Sequence, residues 1–247
     1  MTPIHIFRAS LLANTHNKAK ELTSLLLSAI EVKKKFGKIS LFTDNRGVAL
    51  VKQLGIPYDN VSHLMETATD EVSEVDAQVI GFQKLVHLQP DYLYIDHKVP
   101  FNKDIEVKDF FVRGEREVSR KESVDFYKEK GAKFFFDFDE ENVKLYDVSV
   151  FKCANPQVIG HYFESYFTSL YKNKSLFNNQ IEFLKFSNFL KQSYLYKVVE
   201  AHGLLKDIEV FERFDGKVKT QEAETDDLME YALANYPKDF AQFISKY

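Results

Sequence analysis

Five residues at the predicted ends of strands are the ones whose types could do chemistry: Arg8, Asp44 and the triplet Asp96-His97-Lys98. A guanidinium or an ammonium donates charge-assisted hydrogen bonds to phosphate oxygens. Carboxylates at strand ends can accept from ribose hydroxyls or a base, or hold a hard cation. Each also has a plainer reading. An Asp after a strand commonly caps the helix that follows, and an Arg at a strand end commonly forms a surface ion pair. Asp137 and Asp139 in FFFDFDEEN alternate so as to share one strand face, which allows either an oxygen-ligand site or a solvated strand end. His87 and His97 have no spaced partners of the zinc type. Cys153, the sole cysteine, excludes an intramolecular disulfide and reads as a buried structural thiol. The chain has neither G-x-x-x-x-G-K-[ST] nor G-x-G-x-x-G, which disfavours P-loop enzymes and typical dinucleotide-dependent dehydrogenases.

The elements that must position these residues follow from periodicity. PIHIF (3–7) is an opening strand. Residues 16–36 repeat apolar side chains at helical spacing, with Asn14 or Thr15 as cap and Gly37 as stop. KISLFTD (38–44) is a second strand, 45–54 a short helix closed by Gly55 and Pro57, and 58–75 a polar irregular stretch. A helix over about 76–88 ends before Pro90 and leads into the strand DYLYIDHKV (91–99). This β-α-β-α-α-β order predicts a parallel sheet with crossover helices. Ligands of such sheets bind outside the carboxyl ends of the strands, where all five residues could meet in one crevice.

The second half predicts strands at 106–114, 132–138 and 143–151, with a helix at about 118–130. Long amphipathic helices near 156–172 and 179–202, a strand at 208–214 and short helices near 222–234 and 237–245 complete it. With no linker, repeat or low-complexity segment, the reading is one composite domain over 1–247. Residues 1–100 would be its Rossmann-like nucleotide-binding half and 101–247 its acceptor-side half with the C-terminal helices. The fold class is α/β, with a mixed, mainly parallel central sheet flanked by helices.

Composition bounds the partners. The charged fraction is 28% and the hydrophobic fraction 45%, ordinary for a chain that buries a core. A net charge of -4 and no basic stripe beyond Lys33, Lys34 and Lys35 argue against nucleic acid. That short run reads as a solvated face near a helix C-terminus. No stretch approaches the length of a membrane span and the N-terminus does not read as a secretory signal, so a cytoplasmic location is expected by default.

Four stretches together resemble the A-type, Asp-x-Asp glycosyltransferases, in particular an uncharacterised bacterial group. They are LFTDNRGVALVKQLGIPYDNV (41–61), GFQKLVHLQPDYLYIDHKVPF (81–101), YDVSVFKCANPQVIGHYF (146–163) and LKQSYLYKVVEAHGL (190–204). The resemblance implies a nucleotide-diphospho-sugar transferase-like fold with a nucleotide-sugar over the strand ends. In that family an Asp-x-Asp triplet holds a divalent cation against the diphosphate leaving group. Here the matching triplet is Asp96-His97-Lys98, with Lys in place of the second Asp. Like charges at ~4 Å repel by about 4 kcal/mol at an effective dielectric of roughly 20, so a cation beside Lys98 is disfavoured and no cofactor is expected. Two further positions depart from the pattern: Lys152-Cys153 stands where relatives have paired glycines, and Lys191-Gln192 where they have Glu-Gln.

Two functions follow from the resemblance. In one, Lys98 replaces the metal and binds the diphosphate of a nucleotide-sugar, giving a metal-independent glycosyltransferase whose catalytic base is not assignable. In the other, Lys98 pairs with a nearby carboxylate and the chain is an inactive relative. It would then bind a nucleotide or act as a partner subunit through its aromatic-rich C-terminal helices. The aromatics at 162–196 follow helical spacing and read mostly as core or interface.

Overall fold

The computed structural model describes residues 1–14, 18–63, 74–99, 107–213 and 225–247. Its contacts divide the chain into two compact units: Met1–Ala77, Tyr92–Asp104 and Lys219–Tyr247 in the first, Gln78–Asp91 and Ile105–Val218 in the second. The last two helices of the chain thus pack with its opening segment.

In the first unit, β1 (Thr2–Phe7), β2 (Ser40–Thr43), β3 (Asn60–His63) and β4 (Tyr92–Ile95) pair in parallel in the order β3-β2-β1-β4. The chain leaves β1 for β2 and β3 on one side and returns to β4 on the other. The carboxyl ends of β1 and β4 therefore form a topological switch point, where this kind of sheet opens a crevice. Helix α1 (Lys18–Phe36) buries Leu22, Leu25, Leu26, Ala29 and Ile30, the stripe its periodicity predicts. It stops at Gly37, whose φ of +75° suits a residue without Cβ, with its N–H on the Lys33 carbonyl. Helix α2 (Asn45–Leu54) is capped by Asp44 and ends at Gly55. Its first turn lies hard against β2, since a Cβ at Gly47 would overlap the side chain of Thr43.

β3 was expected as irregular chain. Its sequence, NVSH, is polar and only half-buried, so it carries no apolar alternation; it forms by backbone pairing to β2. Residues 64–73, the rest of that stretch, lie outside the described residues, as do Thr15, 100–106 and 214–224. β4 is shorter than the expected strand over 91–99. Its ladder stops at Ile95, and the Val99 N–H turns back onto the Asp96 carbonyl. Helices α7 (Thr225–Asn235) and α8 (Pro237–Ile244) complete the unit, with the Tyr231 hydroxyl on Glu31 of α1 and Phe240 and Phe243 buried.

The second unit holds α3 (Glu74–Leu88) from Gln78 onward, then β5 (Phe110–Ser119), β6 (Asn142–Cys153) and β7 (Glu209–Arg213). β5 pairs antiparallel with β6 and parallel with β7. The α/β class and the mixed, mainly parallel pairing thus hold for the described strands. Helices α5 (Pro156–Asn173) and α6 (Gln180–Ala201) start at Asn155 and Asn179, whose side chains cap the first turns. Most of their aromatics are core: Tyr162, Tyr166, Phe186 and Tyr194 are fully buried. Two expectations fail here. β5 runs on to Ser119, so the helix expected over 118–130 shrinks to a π-helical turn (Lys121–Asp125) and α4 (Phe126–Glu129).

The strand expected over 132–138 is irregular chain, bent at Phe135 and Phe136, without a ladder among the described residues. Its backbone is satisfied by side chains from helices instead. Asn173 accepts from Lys133 N–H at 2.8 Å and donates to the Lys133 carbonyl at 2.7 Å. Ser169 and the Tyr194 hydroxyl both accept from Phe135 N–H. The burial alternates as in a strand, placing Phe138 inward and leaving Asp137 and Asp139 exposed.

The close approach at Gly47 yields a test. Gly47→Ala must push Thr43 off its buried site, and we expect a loss of about 1–3 kcal/mol in urea unfolding, despite alanine's better helix propensity.

Candidate functional site

The site at the switch point is built around a residue on α1. Glu21 Oε1 lies 3.2 Å from Lys98 Nζ and Glu21 Oε2 lies 3.2 Å from His97 Nε2. One carboxylate is therefore bracketed by two nitrogen donors delivered by the turn after β4. His97 is 3% exposed, with its ring edge-on to Phe7 at 5.5 Å. Lys98 keeps a 40% exposed side chain. Asp96 turns back on its own loop, its Oδ1 accepting from Lys98 N–H at 3.0 Å and lying 3.7 Å from His97 Nδ1. Burial opposes ionisation of Glu21. The hydrogen bond from His97 and the charges and hydrogen bond of Lys98 and His97 overcome it and hold the carboxyl at about 2.

Behind His97 lies a second polar layer. His5, fully buried on β1, has its ring centroid 6.4 Å from that of His97. Its Nδ1 is 2.7 Å from the Tyr58 hydroxyl and its Nε2 is 3.1 Å from Ser28 Oγ. One neutral tautomer satisfies both contacts, with Tyr58 donating to Nδ1 and Nε2–H donating to Ser28. Burial, then the nearby His97, keeps the His5 pKa well below its usual value, while burial pushes the Tyr58 phenol well up.

Asp44 has both oxygens engaged at 9% exposure: Oδ1 accepts from Gly47 N–H at 2.7 Å and Oδ2 from Ser10 N–H at 2.9 Å. It is a helix cap that also pins the chain leaving β1. Arg8 is 4% exposed, which overturns the reading of a surface ion pair. The structure therefore gathers Asp96, His97 and Lys98 around Glu21, places Arg8 inside the unit at the end of β1, and gives Asp44 a local task. Glu21, His5, Ser28 and Tyr58 escaped sequence reasoning. The available signal was polarity on core stripes. Glu21 and Ser28 are seven residues, or two turns, apart on the buried side of α1, and His5 alternates with apolar residues in PIHIF.

In the second unit, the lysines at 152 and 191 have internal partners. Lys152, 5% exposed, sends its Nζ to Asp109 at 3.1 Å and Asp91 at 3.4 Å. Lys191, 8% exposed, donates to Gln78 Oε1 at 2.6 Å. Cys153 is fully buried, and burial pushes its thiol up to about 12, so it is an inert core residue. Among the described residues no three His, Cys, Asp or Glu side chains gather as metal ligands, and no helix is long and apolar enough to cross a membrane.

No protein-family model matches the chain, and no curated protein matches it. The case for a function rests on the residues and their geometry.

The buried pairings imply a pH dependence. The His5 pKa is lower folded than unfolded, so the unfolded chain binds more protons as pH drops through the ordinary imidazole value of 6.5. Stability should fall as pH falls from there. Glu21, with its folded pKa of about 2 against 4.5, adds a second loss between those values. Urea unfolding midpoints from about pH 7.5 down to about pH 2 check both. His5→Gln should flatten the limb below pH 6.5, and an unchanged limb would show that His5 does not carry it.

Proposed function

We propose that this chain is a non-catalytic relative of the nucleotide-sugar transferase scaffold that acts by binding, as a partner subunit or a nucleotide sensor, and transfers no sugar. The observation that carries this reading is the bracketing of Glu21 by Lys98 and His97. A lysine that replaced the metal would need its charge free for a diphosphate. Here a carboxylate at 3.2 Å already answers that charge, and an incoming diphosphate would meet Glu21 as a like charge.

The family's divalent cation does not fit the donor set. A hard cation needs several oxygen ligands. Asp96 offers one carboxylate, already accepting from the Lys98 backbone, beside the Lys98 ammonium and an imidazole. The internally partnered lysines at 152 and 191 support the same reading. For a partner subunit, the exposed Tyr171 and Ile181 on α5 and α6 are the available apolar contacts, the other aromatics of those helices being mostly core.

The competing reading, metal-independent transfer from a nucleotide-sugar, draws on one fact: Lys98 remains 40% exposed at the switch point. One experiment separates the two. The purified protein is mixed with UDP-, GDP- and CMP-sugars, with and without Mn²⁺, and both hydrolysis and the thermal unfolding midpoint are recorded. The proposal expects no hydrolysis and no metal-dependent response. Glu21→Gln, which removes the carboxylate 3.2 Å from Lys98, should respond to nucleoside diphosphates more strongly than the parent protein. Turnover by the parent protein, abolished in Lys98→Ala, would overturn the proposal and establish the enzyme.

A further inference from the structure

One end of the second unit combines exposed apolar side chains with positive charge, and the site of the first unit uses none of them. Two segments meet there: α4 with the turn after it, FYKEKGAK (126–133), and the end of α5 with the start of α6, KNKSLFNNQIEFLK (172–185). Direct contacts join them. Lys130 stands over the Phe126 ring at 4.6 Å from its centroid and reaches Glu182 of α6 at 3.1 Å. The Asn173 side chain bonds both backbone groups of Lys133, and a Cβ at Gly131 would lie 3.8 Å from Leu176. Beneath, the rings of Tyr127, Phe177, Phe183 and Phe186 pack on one another at centroid distances of 4.9–6.1 Å, a base that holds the outer side chains in place.

Three side chains above that base are apolar and exposed: Phe126 at 44%, Leu176 at 38% and Ile181 at 63%. An apolar side chain standing alone on a surface needs no explanation, but these three sit on segments held together and set among charges. The charge is mostly of one sign. The two segments hold six lysines against Glu129 and Glu182, all of them exposed, in a chain whose net charge is -4. Lys185 follows Ile181 by one helical turn on α6, so the two share a face. Unlike Lys98, neither Lys133 nor Lys185 has an ion-pair partner among the described residues.

The mixture selects the partner. A nucleic acid would engage the ammonium groups and leave Phe126, Leu176 and Ile181 in water. An apolar protein surface would cover those three and strip the lysines of water without supplying counter-charge. A bilayer with anionic headgroups answers both demands. Its surface attracts each lysine by roughly 1 kcal/mol, and the boundary below the headgroups takes up the apolar tips while the lysine heads stay among the phosphates. We infer that this end of the second unit is a docking surface for an anionic lipid bilayer, with Phe126, Leu176 and Ile181 entering the headgroup boundary between the lysines. The contact is peripheral and holds whether or not the first unit binds a nucleotide. It gives to lipid the apolar contact at Ile181 that a partner subunit would otherwise take.

Vesicle binding by the full chain tests it. The chain has no tryptophan, so a single introduced one reports its own surroundings. Ile181→Trp should shift its emission to the blue with vesicles of phosphatidylglycerol and phosphatidylcholine in equal parts, and not with phosphatidylcholine alone. Leu233→Trp, at an exposed position of α7 in the first unit, should shift with neither. In co-sedimentation of the unsubstituted chain, added salt should release the protein from the mixed vesicles. Partitioning should fall about three- to tenfold in Phe126→Ser and at least about tenfold when Lys133→Glu and Lys185→Glu are combined. Circular dichroism and unfolding midpoints confirm that each variant is folded, and the result from whichever variant folds decides. Absence of binding to the mixed vesicles, equal binding to phosphatidylcholine alone, or binding indifferent to both the apolar and the lysine substitutions overturns the inference. A blue shift of Leu233→Trp in place of Ile181→Trp overturns it too, because it would put the lipid on the first unit. So does a dimer in sedimentation velocity that is lost in Ile181→Ser, which would assign this face to a second copy of the chain. None of these readouts involves a nucleotide-sugar, so their outcome is separate from that of the transfer assay.

Discussion

A carboxylate at the carboxyl edge of a parallel sheet constrains everything around it in the first unit. Glu21 is part-buried on α1, where water alone would not keep it ionised cheaply, and it stays charged because Lys98 and His97 converge on it. That convergence determines the shape of the turn after β4. The strand ends at Ile95 rather than running on, Asp96 folds back on the Lys98 amide, and His97 turns inward against Phe7. Residues that would otherwise face a ligand are drawn down onto the helix. The same pull organises the layer beneath, because a His97 ring turned inward sits beside His5, and His5 must then be neutral and held by Tyr58 and Ser28.

The strand order explains why this cluster sits where it does. The chain departs from β1 in one direction and comes back on the other side, so the loops after β1 and β4 diverge above the sheet. Such a divergence is where a ligand or a side chain can sit. In this chain α1 fills it with a side chain, and Asp44, the neighbouring acidic residue, closes the adjacent loop by accepting from Ser10 and Gly47. Glu21 on α1 and Asp44 at the end of β2 thus both serve the fold. Among Glu21, Asp96, His97 and Lys98, the Lys98 side chain is the most exposed.

Elements with a strong apolar period were legible in the sequence: α1, α2, α5, α6, β1, β4 and β6 fall within a few residues of their expected places. What was not legible depends on partners far away in sequence. β3 has no apolar pattern because it is an edge strand paired through its backbone to β2. KFFFDF (133–138) has the alternation of a strand, but the Lys133 amide finds Asn173 and the Phe135 amide finds Ser169 and Tyr194 before any ladder partner. For the site, the end-of-strand rule picked out Asp96, His97 and Lys98 from local chemistry. It could not supply Glu21, separated from His97 by 76 positions, whose carboxylate decides what the triplet can do. Arg8 looked like a surface cation because a strand end usually is exposed; here it is enclosed.

The three lysines at positions where the resembled family has other residues make a common physical point. Lys98, Lys152 and Lys191 each have a long stem and a strongly hydrated head, and each head is answered by a protein oxygen at 3.2 Å, 3.1 Å and 2.6 Å respectively. A lysine kept to grip an anionic ligand would be left short of counter-charge in the empty protein, with the ligand supplying it. A lysine whose oxygen partner is built into the fold gains little when an anion arrives, because the anion must first compete with that partner. Desolvation sharpens the difference at Lys152 and Lys191, which are nearly buried and would be costly to strip of their oxygens. Lysines partnered in this way leave their surroundings self-satisfied rather than open. On that argument, stability in this chain does not wait for a nucleotide.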